Sequence, residues 1–86
     1  MLIDLNNTNF CKNIRYLRKK NYLSQRALAE LSGISLWMLR RIEEASDPPA
    51  VEDRVVKRFR EIFGLSVETL FHARFPAPEE EGIDSK

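Results

Sequence analysis

Ser24-Gln25-Arg26-Ala27-Leu28-Ala29-Glu30-Leu31-Ser32-Gly33-Ile34-Ser35-Leu36-Trp37-Met38-Leu39-Arg40-Arg41-Ile42-Glu43 is the stretch that decides the fold. It reads as two short helices joined by a tight turn. Ser24 and Ser35 each stand where a helix begins, and a serine oxygen can accept one of the backbone N–H groups that lack a partner inside the helix. Gly33 stands between the helices, where a positive φ is needed to stop the first. Leu28, Ala29, Ile34, Leu39 and Ile42 recur at helical spacing, so both helices can bury one side against a common core. Ala29 is small enough to let the two backbones approach closely.

This is the outline of a helix-turn-helix unit. Further helices flank it. Phe10, Ile14 and Leu17 share one face of a helix predicted over 9–21, with Thr8 or a neighbouring Asn as its cap. The unit itself supplies helices over 25–31 and 36–44. Ala45-Ser46-Asp47-Pro48-Pro49 is a loop, because consecutive prolines cannot continue a helix. Val51, Val55, Val56, Phe59, Ile62 and Phe63 form a stripe over 50–63, closed by Gly64. Ser66 caps a last short helix over 67–72. The fold class is therefore all-α, a compact five-helix bundle. Residues 1–9 are an N-terminal arm, 10–75 the folded domain and 76–86 an acidic, disordered tail. The arm's Met1-Leu2-Ile3-Asp4-Leu5 reads equally as a short strand, a flexible segment or a strip packed on a second subunit, and no partner strand stands out.

Composition bounds the function. The chain has 86 residues and a formal net charge of +1. That balance hides an asymmetry: residues 1–75 carry thirteen basic and nine acidic residues, net +4, and residues 76–86 are net −3. A mildly basic body suits an anionic partner, although a solvated helical surface gives similar counts. Cys11 is the single cysteine, so no disulfide can form within the chain, and a Cys-rich zinc site is excluded. Cys11 itself reads as a small buried hydrophobe. His72 has no companion at ligand spacing. No nucleophile has a base in reach and no glycine-rich phosphate loop occurs. The expectation is a cytoplasmic protein without enzyme activity, metal or cofactor. No apolar run approaches the roughly 20 residues that would span a membrane.

From Ile14 to Phe71 the chain resembles the lambda repressor-like DNA-binding domain, in its Cro/cI (Xre) form. The match rests on Leu17-Arg18, Ser24-Gln25, Leu28-Ala29, Gly33-Ile34-Ser35, Leu39, Ile42-Glu43, Gly64-Leu65-Ser66 and Leu70. The resemblance implies a transcriptional regulator that binds double-stranded, pseudo-palindromic operator DNA as a homodimer, with its third helix in the major groove. It implies that Gln25 touches a phosphate and that Arg18 pairs with Glu43 to hold the third helix. It maps the base-reading positions to Leu36, Trp37 and Arg41, with Arg40 alongside. Ser24, Arg26 and Ser35 lie at the adjoining helix starts. It also implies a dimer interface at the C-terminal end, from Val67, Leu70, Phe71 and Phe75, joined by Leu2, Ile3 and Leu5.

Two features depart from the family pattern. Glu44, Ala45 and Asp47 stand where relatives carry glycine and basic residues, and the charges of Glu44 and Asp47 repel phosphate. The segment leading to Gly64 is also longer than usual. Arg41 suits guanine, whose O6 and N7 a guanidinium can bind together. Leu36 and Trp37 can touch only thymine methyls or sugars. An alternative function follows: a protein-interaction module of the same fold, using an apolar Leu36-Trp37-Met38 face. Trp37 reads as a contact to DNA or a partner, or as a cover for the rim of the core.

Overall fold

A computed structural model describes residues 1–76. Five helices follow in order: α1 (Phe10–Lys20), α2 (Gln25–Ser32), α3 (Leu36–Glu44), α4 (Asp53–Phe63) and α5 (Val67–His72). Two short strands, β1 (Leu2–Ile3) and β2 (Val51–Glu52), pair antiparallel with Leu2 opposite Glu52 and Ile3 opposite Val51. The acidic tail expected over 76–86 lies outside the described residues apart from Pro76.

The local signals of the central unit act as expected. Ser24 Oγ accepts the Ala27 N–H and Ser35 Oγ the Met38 N–H, each at 3.0 Å. Gly33 has φ 74° and lets the Ile34 N–H turn back to the Ala29 carbonyl at 3.1 Å. A Cβ at Gly33 would meet only the Arg54 Nη1, at an ordinary 3.9 Å. Backbone conformation, not space, therefore demands glycine there. Leu28, Ala29, Leu39 and Ile42 are buried together with Phe10, Ile14, Val55, Val56 and Phe59. Phe10 meets Phe59 edge-on, with centroids 5.8 Å apart.

One expectation is corrected and two are made definite. The first helix begins at Phe10 with Asn9, one of the expected residues, as its N-cap; the Asn9 side chain donates to the His72 carbonyl at 3.3 Å instead of bonding a helix N–H, while Thr8 Oγ1 accepts the Phe10 N–H at 3.3 Å and donates to the Leu5 carbonyl at 2.8 Å. The fourth helix begins at Asp53, because Val51 and Glu52 are drawn into the strand. Val51 is still buried, but from the sheet. Of the readings left open for the arm, the short strand is the one found. Leu5 is buried in the core, which contributes about 1.5–3 kcal/mol and removes it from any surface. The Met1 carbonyl accepts the Asp53 N–H at 3.1 Å, supplying a partner to the unsatisfied start of α4.

At the other end, α5 is fastened to α1. Asn13, buried in the middle of α1, donates from Nδ2 to the carbonyls of Leu70 at 2.9 Å and Ala73 at 2.8 Å. Those carbonyls stand at the C-terminal end of α5, where helical partners run out. The Asn9 N–H reaches the Phe71 carbonyl at 2.9 Å.

Candidate nucleic-acid interface

The orientation of α3 is set from beneath by a buried ion pair. Arg18 donates from Nε to Glu43 Oε2 at 2.7 Å and from Nη2 to Glu43 Oε1 at 3.0 Å. Its Nη1 reaches the Leu23 carbonyl at 2.8 Å, so the same guanidinium also ties down the segment between α1 and α2. The Glu43 side chain is only 4% exposed. Two parallel bonds fix direction as well as distance. They clamp α3 to α1 as the resemblance implied, and leave the opposite face of α3 to solvent.

That outer face carries Leu36, Trp37, Arg40 and Arg41. Trp37 is 63% exposed, so it does not cover the core rim. Arg41, one turn later, folds over it with its guanidinium carbon 5.2 Å from a ring centroid. Arg41 Nη2 also donates to the Asp47 carbonyl at 3.1 Å. Arg40 is exposed. Leu36 is half-buried, and so is Met38, which packs against the core. Leu36-Trp37-Met38 is therefore not one face: successive helical residues point about 100° apart, and Met38 turns inward.

Gln25, expected at a phosphate, faces inward in part. Its Nε2 donates to Glu43 Oε1 at 3.1 Å and its Oε1 accepts from Arg40 Nε at 3.4 Å. It links the buried clamp to the outer face, with one amide N–H left for an external acceptor. The oxygens of Ser24 and Ser35 are occupied as caps, and both residues are exposed along with Arg26.

Around Gln25 a shallow groove is lined by Arg15, Arg18, Lys19, Arg40, Glu43 and Glu44. Neither Arg15 nor Lys19 is among the contact residues that the resemblance implies. Their four-residue spacing places both on one side of α1, and the Arg18–Glu43 clamp brings that side beside α3. Asp47, read as a repeller of phosphate, has a specific partner in Arg41.

The expected dimer surface is divided. Leu70 is 0% exposed, so it belongs to the core and is corrected as an interface residue. Leu5 is corrected for the same reason. Phe71 packs on Phe10 with centroids 4.8 Å apart, and Phe75 stacks on Tyr16 at 5.7 Å; both remain half-buried. Val67 is exposed.

Cys11 is buried, and desolvation pushes its thiol up to about 11, which suppresses the reactive thiolate. Among the described residues no group of three or more His, Cys, Asp or Glu side chains is placed to hold a metal ion. Nor, among them, is any helix long and apolar enough to cross a membrane.

The sequence pattern of the helix-turn-helix family matches residues 14–70. No curated protein matches the chain. Among solved structures, the complex of SinR protein with SinI protein contains a chain that superposes with a TM-score of 0.63 at 23% identity, covering 88% of this chain and 75% of that one. At that identity the likeness is one of fold.

Proposed function

Because the chain belongs to the helix-turn-helix family, in its Cro/cI (Xre), lambda repressor-like form, we propose that it is a sequence-specific transcriptional regulator. It binds a pseudo-palindromic operator as a homodimer, with α3 in the major groove. The observation that carries this reading is the asymmetry of α3. Its inner face is locked by the bidentate Arg18–Glu43 pair, and its outer face carries exposed Trp37 and Arg40 with half-buried Arg41 beside them. A helix held rigidly with cations outward is what reading base edges requires.

The roles follow from position. Arg41 reads guanine. Arg40, Arg26, Arg15 and Lys19 meet phosphates on either side, and Gln25, Ser24 and Ser35 supply N–H and O–H donors at the helix starts. Trp37 and Leu36 contact thymine methyls or sugars. The second copy docks at the C-terminal end, through Val67 and the uncovered parts of Phe71 and Phe75.

Selection from a pool of random duplexes tests the reading. A palindrome should be enriched, with half-sites about 34–36 Å apart or a multiple of it. Affinity should fall steeply as salt rises, because bound cations release counterions from DNA. Sedimentation should show two chains on each site. No enrichment at low salt would sink the proposal.

The exposed Trp37 ring favours a second reading, a protein partner seated on Trp37 and Leu36. Trp37→Ala separates the two. Loss of a co-purifying partner with DNA selection intact supports the partner; weakened DNA binding supports the first reading.

A further inference from the structure

Arg41 is the side chain of α3 best suited to read a base, yet it is already engaged within the chain. Its guanidinium lies over Trp37, its Nη2 donates to the Asp47 carbonyl at 3.1 Å, and the same nitrogen stands 3.9 Å from the Asp47 carboxylate. The loop that presents Asp47 is fixed at both ends. Ala45, at φ 64°, turns the chain back after α3, and Pro48, directly after Asp47, is buried. The carbonyl is thus an acceptor held in place by the backbone. Binding guanine O6 and N7 together takes two N–H groups in the plane of the base. Nη2 is one of the groups a bidentate contact would use, and it is already bonded to the loop, so a contact that uses it competes with the Asp47 carbonyl.

We infer that Asp47 is a specificity-determining residue: it parks Arg41 against Trp37 and withholds it from DNA, lowering affinity for a site with guanine under Arg41 more than for other duplexes. A protein whose competent arrangement is only partly populated binds more weakly by that fraction. Only a contact that needs the released Arg41 is weakened in this way, so duplexes that Arg41 does not read are affected less. The inference rests on the DNA-binding reading above.

The test uses the full chain and the duplex it selects. Relaxed preference in Arg41→Ala identifies the base pair that Arg41 reads. Binding of the parent, Asp47→Asn, Arg41→Ala and the double variant is then measured on that duplex and on one with the pair replaced. Asp47→Asn keeps the backbone carbonyl and removes the charge. It should tighten the selected duplex about threefold, the range of an exposed ion pair, and the replaced duplex less. In the Arg41→Ala background the gain should vanish. Emission from Trp37, the single tryptophan, should change without DNA when Arg41 is removed. A gain equal on both duplexes, or one that survives without Arg41, assigns the effect to plain repulsion of phosphate and overturns the inference. So does no gain, or an unchanged Trp37 emission. A parent chain that selects no duplex overturns the function and this inference with it. A parent that selects one but is unmoved by Asp47→Asn overturns this inference alone.

Discussion

Two arginine–carboxylate pairs meet α3, and they differ in nearly everything except their chemistry. Arg18–Glu43 lies beneath the helix, with two short bonds and a carboxylate that is 4% exposed. Arg41–Asp47 lies above it, with one oxygen at 3.9 Å and a carboxylate that is 91% exposed. The first pair is almost shut off from water, so removing Arg18 leaves the buried Glu43 charge with only the Gln25 amide bonded to it. The second exchanges readily with water and is screened by salt. Burial, rather than residue type, makes one a structural clamp and leaves the other adjustable. The proposed function would use both: a base that holds α3 in place and outer groups that can move.

Substitutions can break or sharpen this contrast. The largest effect is expected for Arg18→Ala, which strands Glu43 and should cost about 3–5 kcal/mol in urea unfolding. Replacing both Arg18 and Glu43 by Met should recover most of that loss, since an apolar pair leaves no buried charge. If Arg18→Ala were nearly silent, the clamp would be no stronger than the surface pair. Arg41→Ala should remove about 1–3 kcal/mol of discrimination at one base pair in duplex competition. The same change should alter unfolding by no more than about 1 kcal/mol. Ser35→Ala deletes the α3 cap and should destabilise by about 1 kcal/mol in thermal unfolding. Base preference should survive it, because the clamp sets the direction of α3. Asp47→Asn should shift unfolding least, by less than about 1 kcal/mol, the range of an exposed ion pair. A larger loss would make the outer pair structural too.

How much of this was legible in the sequence depended on how far apart the deciding residues lie. Ser24, Gly33 and Ser35 act on backbone groups within a few residues, so spacing alone located the central turn. The Arg18–Glu43 pair joins separate helices and came only with the family resemblance. Val51 misled because its spacing to Val55 fits a helix, while its strand partner Ile3 lies far away in the chain. Leu70 was placed in the dimer interface through the resemblance, since one sequence alone could not show α1 folding over it. Asn13 gave no signal at all: a polar residue on a helix is ordinarily solvated, and its two acceptors come from α5. The parked Arg41 depends on the left-handed turn at Ala45, a conformation that alanine rarely adopts.

The little sheet also has a bearing on how the chain reaches this structure. Pairing Leu2 with Glu52 closes a long loop for only two residue pairs, and the Asn13 bonds to Leu70 and Ala73 close another of similar length. Contacts between α2 and α3 close short ones. Loop entropy must be met before distant contacts return anything. The helix-turn-helix core is therefore expected to assemble early in folding, and the two chain ends to lock down last. Hydrogen exchange under native conditions should record the reverse order, with the amides of Ile3 and Asn9 released before those buried in α2 and α3.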